Sequence, residues 1–116
     1  MDSRAKNRRT YRFAPAFILL FLAEKSLYGS AILSEFRDRL PDYSVDSAVI
    51  YRSLQELEKE GSLKSSWNTE TPGPATKWYE ITDIGLQKLA NYYGDIEKRK
   101  RNLDFFLSTY SQLPPR

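Results

Sequence analysis

The 116-residue chain has no cysteine and no histidine. Without cysteine there is no disulfide, no thiolate nucleophile and no sign of an oxidising compartment. Without histidine the commonest general base and the commonest metal ligand are both missing. No carboxylate dyad at a workable spacing replaces them, so the sequence reads against an enzyme, a metal site and a bound cofactor. A carboxylate- or tyrosine-based enzyme would need a dry pocket holding an acid of raised pKa. Long apolar runs are absent too: "FAPAFILLFLA" is too short to span a bilayer and is soon followed by Glu24 and Lys25. It also lacks a small-residue cleavage site, which argues against a secretory leader. The expectation is a cytoplasmic protein with no membrane partner. Internal repeats and low-complexity segments are lacking as well.

What is present suffices for a core: 41% of residues are hydrophobic and 14% aromatic. The length fits one domain, or one domain with an appended element. Charge is distributed unevenly. Residues 1–14 carry Arg4, Lys6, Arg8, Arg9 and Arg12 against Asp2 alone, a net +4, while the other 13 basic and 14 acidic residues leave −1. The whole positive excess therefore sits in a leading arm, which reads either as a nucleic-acid-binding tail or as a solvated terminus.

Pro15 suits the first turn of a helix through "PAFILLFLAEK", apolar on most sides and so buried. "SLYGSAILSEFRDRL" forms a second helix with Ile32, Leu33, Phe36 and Leu40 on its inner stripe, stopped by Pro41 and Asp42. In "DYSVDS", Ser44, Asp46 and Ser47 are all candidate N-caps of a third helix that Gly61 closes. "LKSSWN" and "KWYEIT" then read as two strands around the turn "TETPGPA". Trp67, Trp78 and Tyr79 are expected to pack at the base of this hairpin. A final helix starts at Thr82 or Asp83 and runs to about Tyr110. The fold class is mainly α with a small β-hairpin. Two helices joined by a turn, the second followed at once by a hairpin, is the winged helix-turn-helix order, here with a C-terminal dimerisation helix. The expected division is residues 1–14 arm, 15–82 winged helix-turn-helix and 83–116 dimerisation helix and tail.

The third helix, in "DSAVIYRSLQELEKEG", has two faces. Ile50, Leu54 and Leu57 form the buried one; Ala48, Tyr51, Arg52 and Gln55 recur at the same spacing on the other. In a winged helix the third helix enters the major groove of DNA. Arg52 could fork onto guanine and Gln55 onto adenine, while Ser47 and Tyr51 suit phosphate oxygens. The acidic run Glu56, Glu58 and Glu60 must then face away from the duplex. The hairpin offers only Lys77, so Arg4, Lys6, Arg8 and Arg9 are expected to supply the missing phosphate contacts. A winged helix that binds protein through Tyr51 and Arg52 is the rival reading.

The final helix carries a seven-residue repeat. Leu86, Tyr93, Lys100 and Leu107 lie on one line, and Leu89, Ile96, Leu103 and Tyr110 on the other. That is a coiled-coil seam. It calls for a partner, and a homodimer would match a pseudo-palindromic operator; otherwise the helix folds back on its own domain. "EKRKRN" lies mid-helix and reads as a solvated face supported by Glu97–Arg101. Gly29 is read as permitting close helix approach.

The segments "ILLFLAEKSLYG" (18–29), "IYRSLQELEKEGSLKSSW" (50–67), "KWYEIT" (77–82) and "DIGLQKLA" (83–90) follow one another with gaps that resemble those of the PadR family of transcriptional regulators. With a single terminal helix, the chain looks like the short subfamily. The resemblance implies a dimeric, DNA-binding repressor that responds to a small aromatic effector. It places Tyr51 on the family tyrosine that contacts the DNA backbone and Trp67 on the tryptophan at the wing base. It also implies a cavity at the dimer centre lined from Phe17, Phe21, Tyr92, Tyr93, Ile96 and Phe106. The chain departs from the family pattern at Arg52, where proline is frequent, at Glu56, often basic, at Ser30, often tyrosine, and in its weakly basic wing.

Overall fold

The computed structural model describes residues 13–40, 42–70 and 72–116. Arg4, Lys6, Arg8, Arg9 and the helix stop expected at Pro41 lie outside them. Helix α1 (Ala14–Glu24) has proline in its first turn, where no intrahelical donor is needed, and ends where Lys25 turns extended. Ile18, Leu19, Phe21 and Leu22 are all buried in it. Polar residues give it no solvent face, so it becomes the hub on which the other helices pack.

Two residues expected to begin the second helix form a strand instead, β1 (Leu27–Tyr28), and helix α2 (Gly29–Arg39) starts just after. On α2, Ile32 and Phe36 are fully buried and Leu33 and Leu40 pack on the core. Phe36 meets Phe21 edge-on with ring centres 5.3 Å apart. Arg39 then ties the open end of α1 to α2, its guanidinium donating to both carboxylate oxygens of Glu24 and to Glu35.

Helix α3 (Ser47–Lys59) is capped by Asp46, whose carboxylate accepts from the amides of Ala48 (2.9 Å) and Val49 (3.4 Å). Of the three possible caps, only Asp46 accepts these amides through its side chain. Its C-terminus closes in a Schellman turn: Gly61 takes φ +87°, the Gly61 amide donates to the Glu58 carbonyl and the Ser62 amide to the Leu57 carbonyl. The turn delivers the chain directly into strand β2 (Leu63–Asn68), followed by β3 (Thr76–Ile81).

The sheet is three-stranded and antiparallel with order β1-β3-β2, rather than the two-stranded hairpin the sequence suggests. Leu27 lies opposite Tyr79, Leu63 opposite Ile81 and Trp67 opposite Lys77. Tyr79 enters the core, and Trp78 packs edge-on against Tyr28 on the outer face. Trp67 does not pack as expected and is 64% exposed. It lies toward the hairpin tip, past Leu63 and Tyr79, the last core residues of the sheet's inner face.

Helix α4 (Asp83–Ser111) is capped by Thr82, whose hydroxyl accepts from the Gly85 amide and donates to the Gly61 carbonyl. It runs for 29 residues, about 43 Å at 1.5 Å per residue. Its two halves differ. Leu89 and Tyr92 pack against the core and the Arg99 guanidinium lies 5.8 Å from the Phe13 ring. Beyond residue 100 every side chain is exposed. The expected ion pair Glu97–Arg101 is replaced by Asp95–Arg99 and Lys100–Asp104. Among the described residues no helix is long and apolar enough to cross a membrane.

Candidate nucleic-acid interface

The cap at Asp46 and the turn at Gly61 fix how α3 rotates about its axis. Ile50, Ser53, Leu54 and Leu57 face the core, and Ser47, Ala48, Tyr51, Arg52 and Gln55 are left exposed together. The polar set on this helix therefore forms one contiguous face at its amino-terminal half. Small Ala48 lies between the hydroxyl, guanidinium and amide donors, so a flat polar surface can come close.

Tyr51 is held in place by what is missing opposite it. A Cβ built on Gly29 would stand 2.7 Å from the Tyr51 Cε1 and 2.9 Å from its Oη. The close approach that Gly29 permits is thus that of the Tyr51 ring, which rests on the first residue of α2. The amino end of α2 has no side-chain cap, so its first amides and the Tyr51 hydroxyl are neighbouring donors at a positive helix end. A phosphate oxygen is the chemistry that such a place suits.

Two of the three members of the acidic run at the end of α3 are neutralised by partners within the protein. Glu58 accepts from the Ser65 hydroxyl and pairs with Lys77 at 3.3 Å. The Ser65 hydroxyl, assisted by the Lys77 ammonium, holds the Glu58 carboxyl below its usual range despite partial burial. At Glu60 burial opposes ionisation, and the hydrogen bonds from Lys88 (2.5 Å) and Ser62 (2.8 Å) outweigh it. Glu56 stays exposed.

Lys77 is therefore already paired inside the protein. Its ammonium also lies 5.5 Å from the Tyr79 ring centre and 6.0 Å from that of Trp67. It joins the hairpin to the carboxy-terminal half of α3, two helical turns beyond Tyr51.

The other two expected sets divide. On the seam, Leu86, Tyr93, Leu103, Leu107 and Tyr110 are exposed, whereas Leu89 and Ile96 are half-buried and Leu89 packs on the core of its own domain. Of the residues expected around a cavity, Phe21 is a core residue, 2% exposed, and Phe17 packs between Phe21, Phe36 and Tyr43. Tyr92 packs on the core, and Phe106 is exposed, stacked on Tyr110. They do not line one space in the single chain. Their helical spacing is core spacing, and no sequence signal separates the two. The roles of Gly29 and Trp67 were the less legible ones, because each depends on what stands across from it in space. Among the described residues no cluster of potential metal ligands forms.

The transcriptional regulator PadR-like family model matches residues 18–91. A curated but uncharacterised protein of Lysinibacillus sphaericus is 27% identical over 93 residues, which are 79% of this chain and 85% of that one. Among solved structures, a transcriptional regulator from Clostridium thermocellum superposes with a TM-score of 0.75 at 24% identity, over 91% of this chain and 97% of its own. Bacillus subtilis PadR, solved in complex with operator DNA, superposes with a TM-score of 0.65 at 28% identity, over 72% of this chain and 48% of its own.

Proposed function

The chain belongs to the PadR-like family of transcriptional regulators, and from that premise we propose that it binds duplex DNA as a homodimer and represses transcription. The observation that carries this reading is the single exposed face of Ser47, Tyr51, Arg52 and Gln55 on a helix whose other side is core. Arg52 reads guanine through two donors and Gln55 reads adenine, each good pair contributing about 1–3 kcal/mol of discrimination. Ser47, Tyr51 and the amino end of α2 hold phosphates and set register. In the dimer two copies of α3 lie about 34–36 Å apart, one turn of B-DNA, on a pseudo-palindromic operator. A small aromatic effector bound between the subunits would act by favouring a dimer with a different spacing. In this reading 15–82 is the DNA-binding unit and 83–116 the dimerising one, although α4 contributes Leu89 and Tyr92 to the core of the former. The protein works in the cytoplasm.

With Lys77 committed to Glu58, cationic phosphate contacts fall to Arg4, Lys6, Arg8 and Arg9 of the arm. A mobility-shift titration with the DNA upstream of the protein's own gene, repeated across salt concentrations, tests both statements. The full chain should bind with a steep salt dependence. Removing residues 1–9 should flatten that dependence by roughly 0.9 for each lost phosphate contact. An unchanged slope removes the arm from the interface, and no binding by the full chain removes the reading itself.

Gly29→Ala probes the placement of Tyr51. The atoms its methyl meets are the far end of a ring that is 40% exposed, so the ring can swing away at little cost to the fold. DNA affinity is expected to fall about tenfold, the loss of one hydrogen bond to a charged group. The melting temperature should stay within a few degrees of its starting value. Equal affinity would show that the Tyr51 hydroxyl is not used.

A further inference from the structure

We propose that Trp67 is a nucleic-acid contact of the hairpin, laying its indole against the deoxyribose–phosphate edge of the duplex beside the groove that α3 enters. This rests on the DNA-binding reading and extends it to a residue expected to pack. At 64% exposure Trp67 is not a core residue. An exposed indole costs solvation that a partner would recover.

Its position says which partner. Trp67 is two residues beyond Ser65 on the same face of β2, and Ser65 donates to Glu58 of α3. It lies directly opposite Lys77, which reaches the same Glu58. Glu58 is seven residues, two helical turns, beyond Tyr51 and so lies in line with it along α3. The indole is thus carried on the sheet face that turns toward the Tyr51 side of α3, the side proposed to meet phosphates.

Charge points the same way. From Asn68 to Thr76 the hairpin tip has Glu70 as its one charged residue, and Lys77 is held by Glu58. Such a tip cannot approach a phosphate chain through cations. An indole can, since it offers an apolar face to a sugar, a ring N–H to a phosphate oxygen and little rotamer entropy to lose. Trp67 would then serve the hairpin in the role that lysine and arginine fill elsewhere.

Two measurements on the full chain decide this, both with the upstream fragment as probe. In a Trp78→Phe protein, Trp67 is the single tryptophan. Its quenching by acrylamide should be strong in the free protein and should fall several-fold when the fragment is added. Trp67→Ala should weaken binding on the order of thirtyfold, the effect of removing one interface tryptophan. Its salt dependence should run parallel to that of the unsubstituted chain, because no counterion release is lost. Trp67→Phe should recover most of the affinity. Full affinity in Trp67→Ala, or unchanged quenching in a complex that has formed, overturns the proposal while leaving the DNA-binding reading in place. Protection that grows with protein concentration alone would mean that a second copy covers the indole, and would also overturn it. If the unsubstituted chain binds no fragment, both statements fall.

Discussion

Gly85→Ala is expected to lower the melting temperature by roughly 10–20 °C, whereas Gly94→Ala on the same helix should raise it by a few degrees. A Cβ on Gly85 would lie 2.2 Å from the Ser62 carbonyl oxygen and 2.7 Å from the Ile81 Cγ1. Neither atom is the end of a flexible side chain. Ser62 is fully buried and its carbonyl already accepts from the Thr82 amide at 3.1 Å. Overpacking of this kind costs about 1–3 kcal/mol, and parting a buried amide from its carbonyl about as much again. Together these remove a large part of the ~5–15 kcal/mol that holds a typical domain. The same spot joins α4 to the end of α3, since the Thr82 hydroxyl donates to the Gly61 carbonyl and Lys88 pairs with Glu60. Gly85→Ala should therefore loosen the joint between the start of α4 and the end of the DNA-facing helix. At Gly94 nothing lies within 4 Å of the added methyl, so alanine gains about 1 kcal/mol of helix propensity. A calorimetric scan of both variants checks the pair of signs. A Gly85→Ala protein that melts with the parent would mean that the joint yields freely.

Most elements were legible because their signals are local. The stop of α3 and its three candidate caps are within a few residues of the helix they bound, and the strands read as "LKSSWN" and "KWYEIT" flank a turn rich in proline and glycine, the second running from Thr76 to Ile81. Strand β1 was not legible. Its two residues pair with Tyr79 and Trp78, some fifty positions away, and alone they continue the pattern of the helix that follows. Trp67 misled for a related reason. Two tryptophans in a hairpin look alike by composition, and only the register, which sets Trp67 against Lys77 and Trp78 against Tyr28, separates the exposed one from the packed one. In the candidate interface, the face of α3 followed from helical period. The capture of Lys77 by Glu58 and the resting of Tyr51 on Gly29 needed the third dimension. The seam of α4 was read as one surface, although Leu89 within its first half packs on the chain's own core.

That division of α4 leads to the second large effect. Leu103, Phe106, Leu107 and Tyr110 are 63–70% exposed. At helical spacing they fall on one stripe that begins about three turns beyond Tyr92, the last residue of the helix that packs on the core. An exposed apolar stripe of this kind marks an interaction surface, and it is where the proposed dimer would form. A second copy offers the same stripe in antiparallel or parallel register, and the ion pairs Asp95–Arg99 and Lys100–Asp104 are already satisfied within each helix. They therefore place no unpaired charge in the way. Replacing Leu103 and Leu107 together with glutamate should yield a monomer at micromolar concentration. The winged domain should remain folded, because neither residue touches its core. Operator affinity should then fall on the order of a hundred- to a thousandfold, since the second half-site is no longer delivered at high effective concentration. Light scattering gives the mass, and the mobility shift the affinity. A doubly substituted protein that still sediments as a dimer would move the interface to another surface. A monomer of undiminished affinity would instead mean that one copy of α3 is enough, and the paired-helix geometry would have to be abandoned.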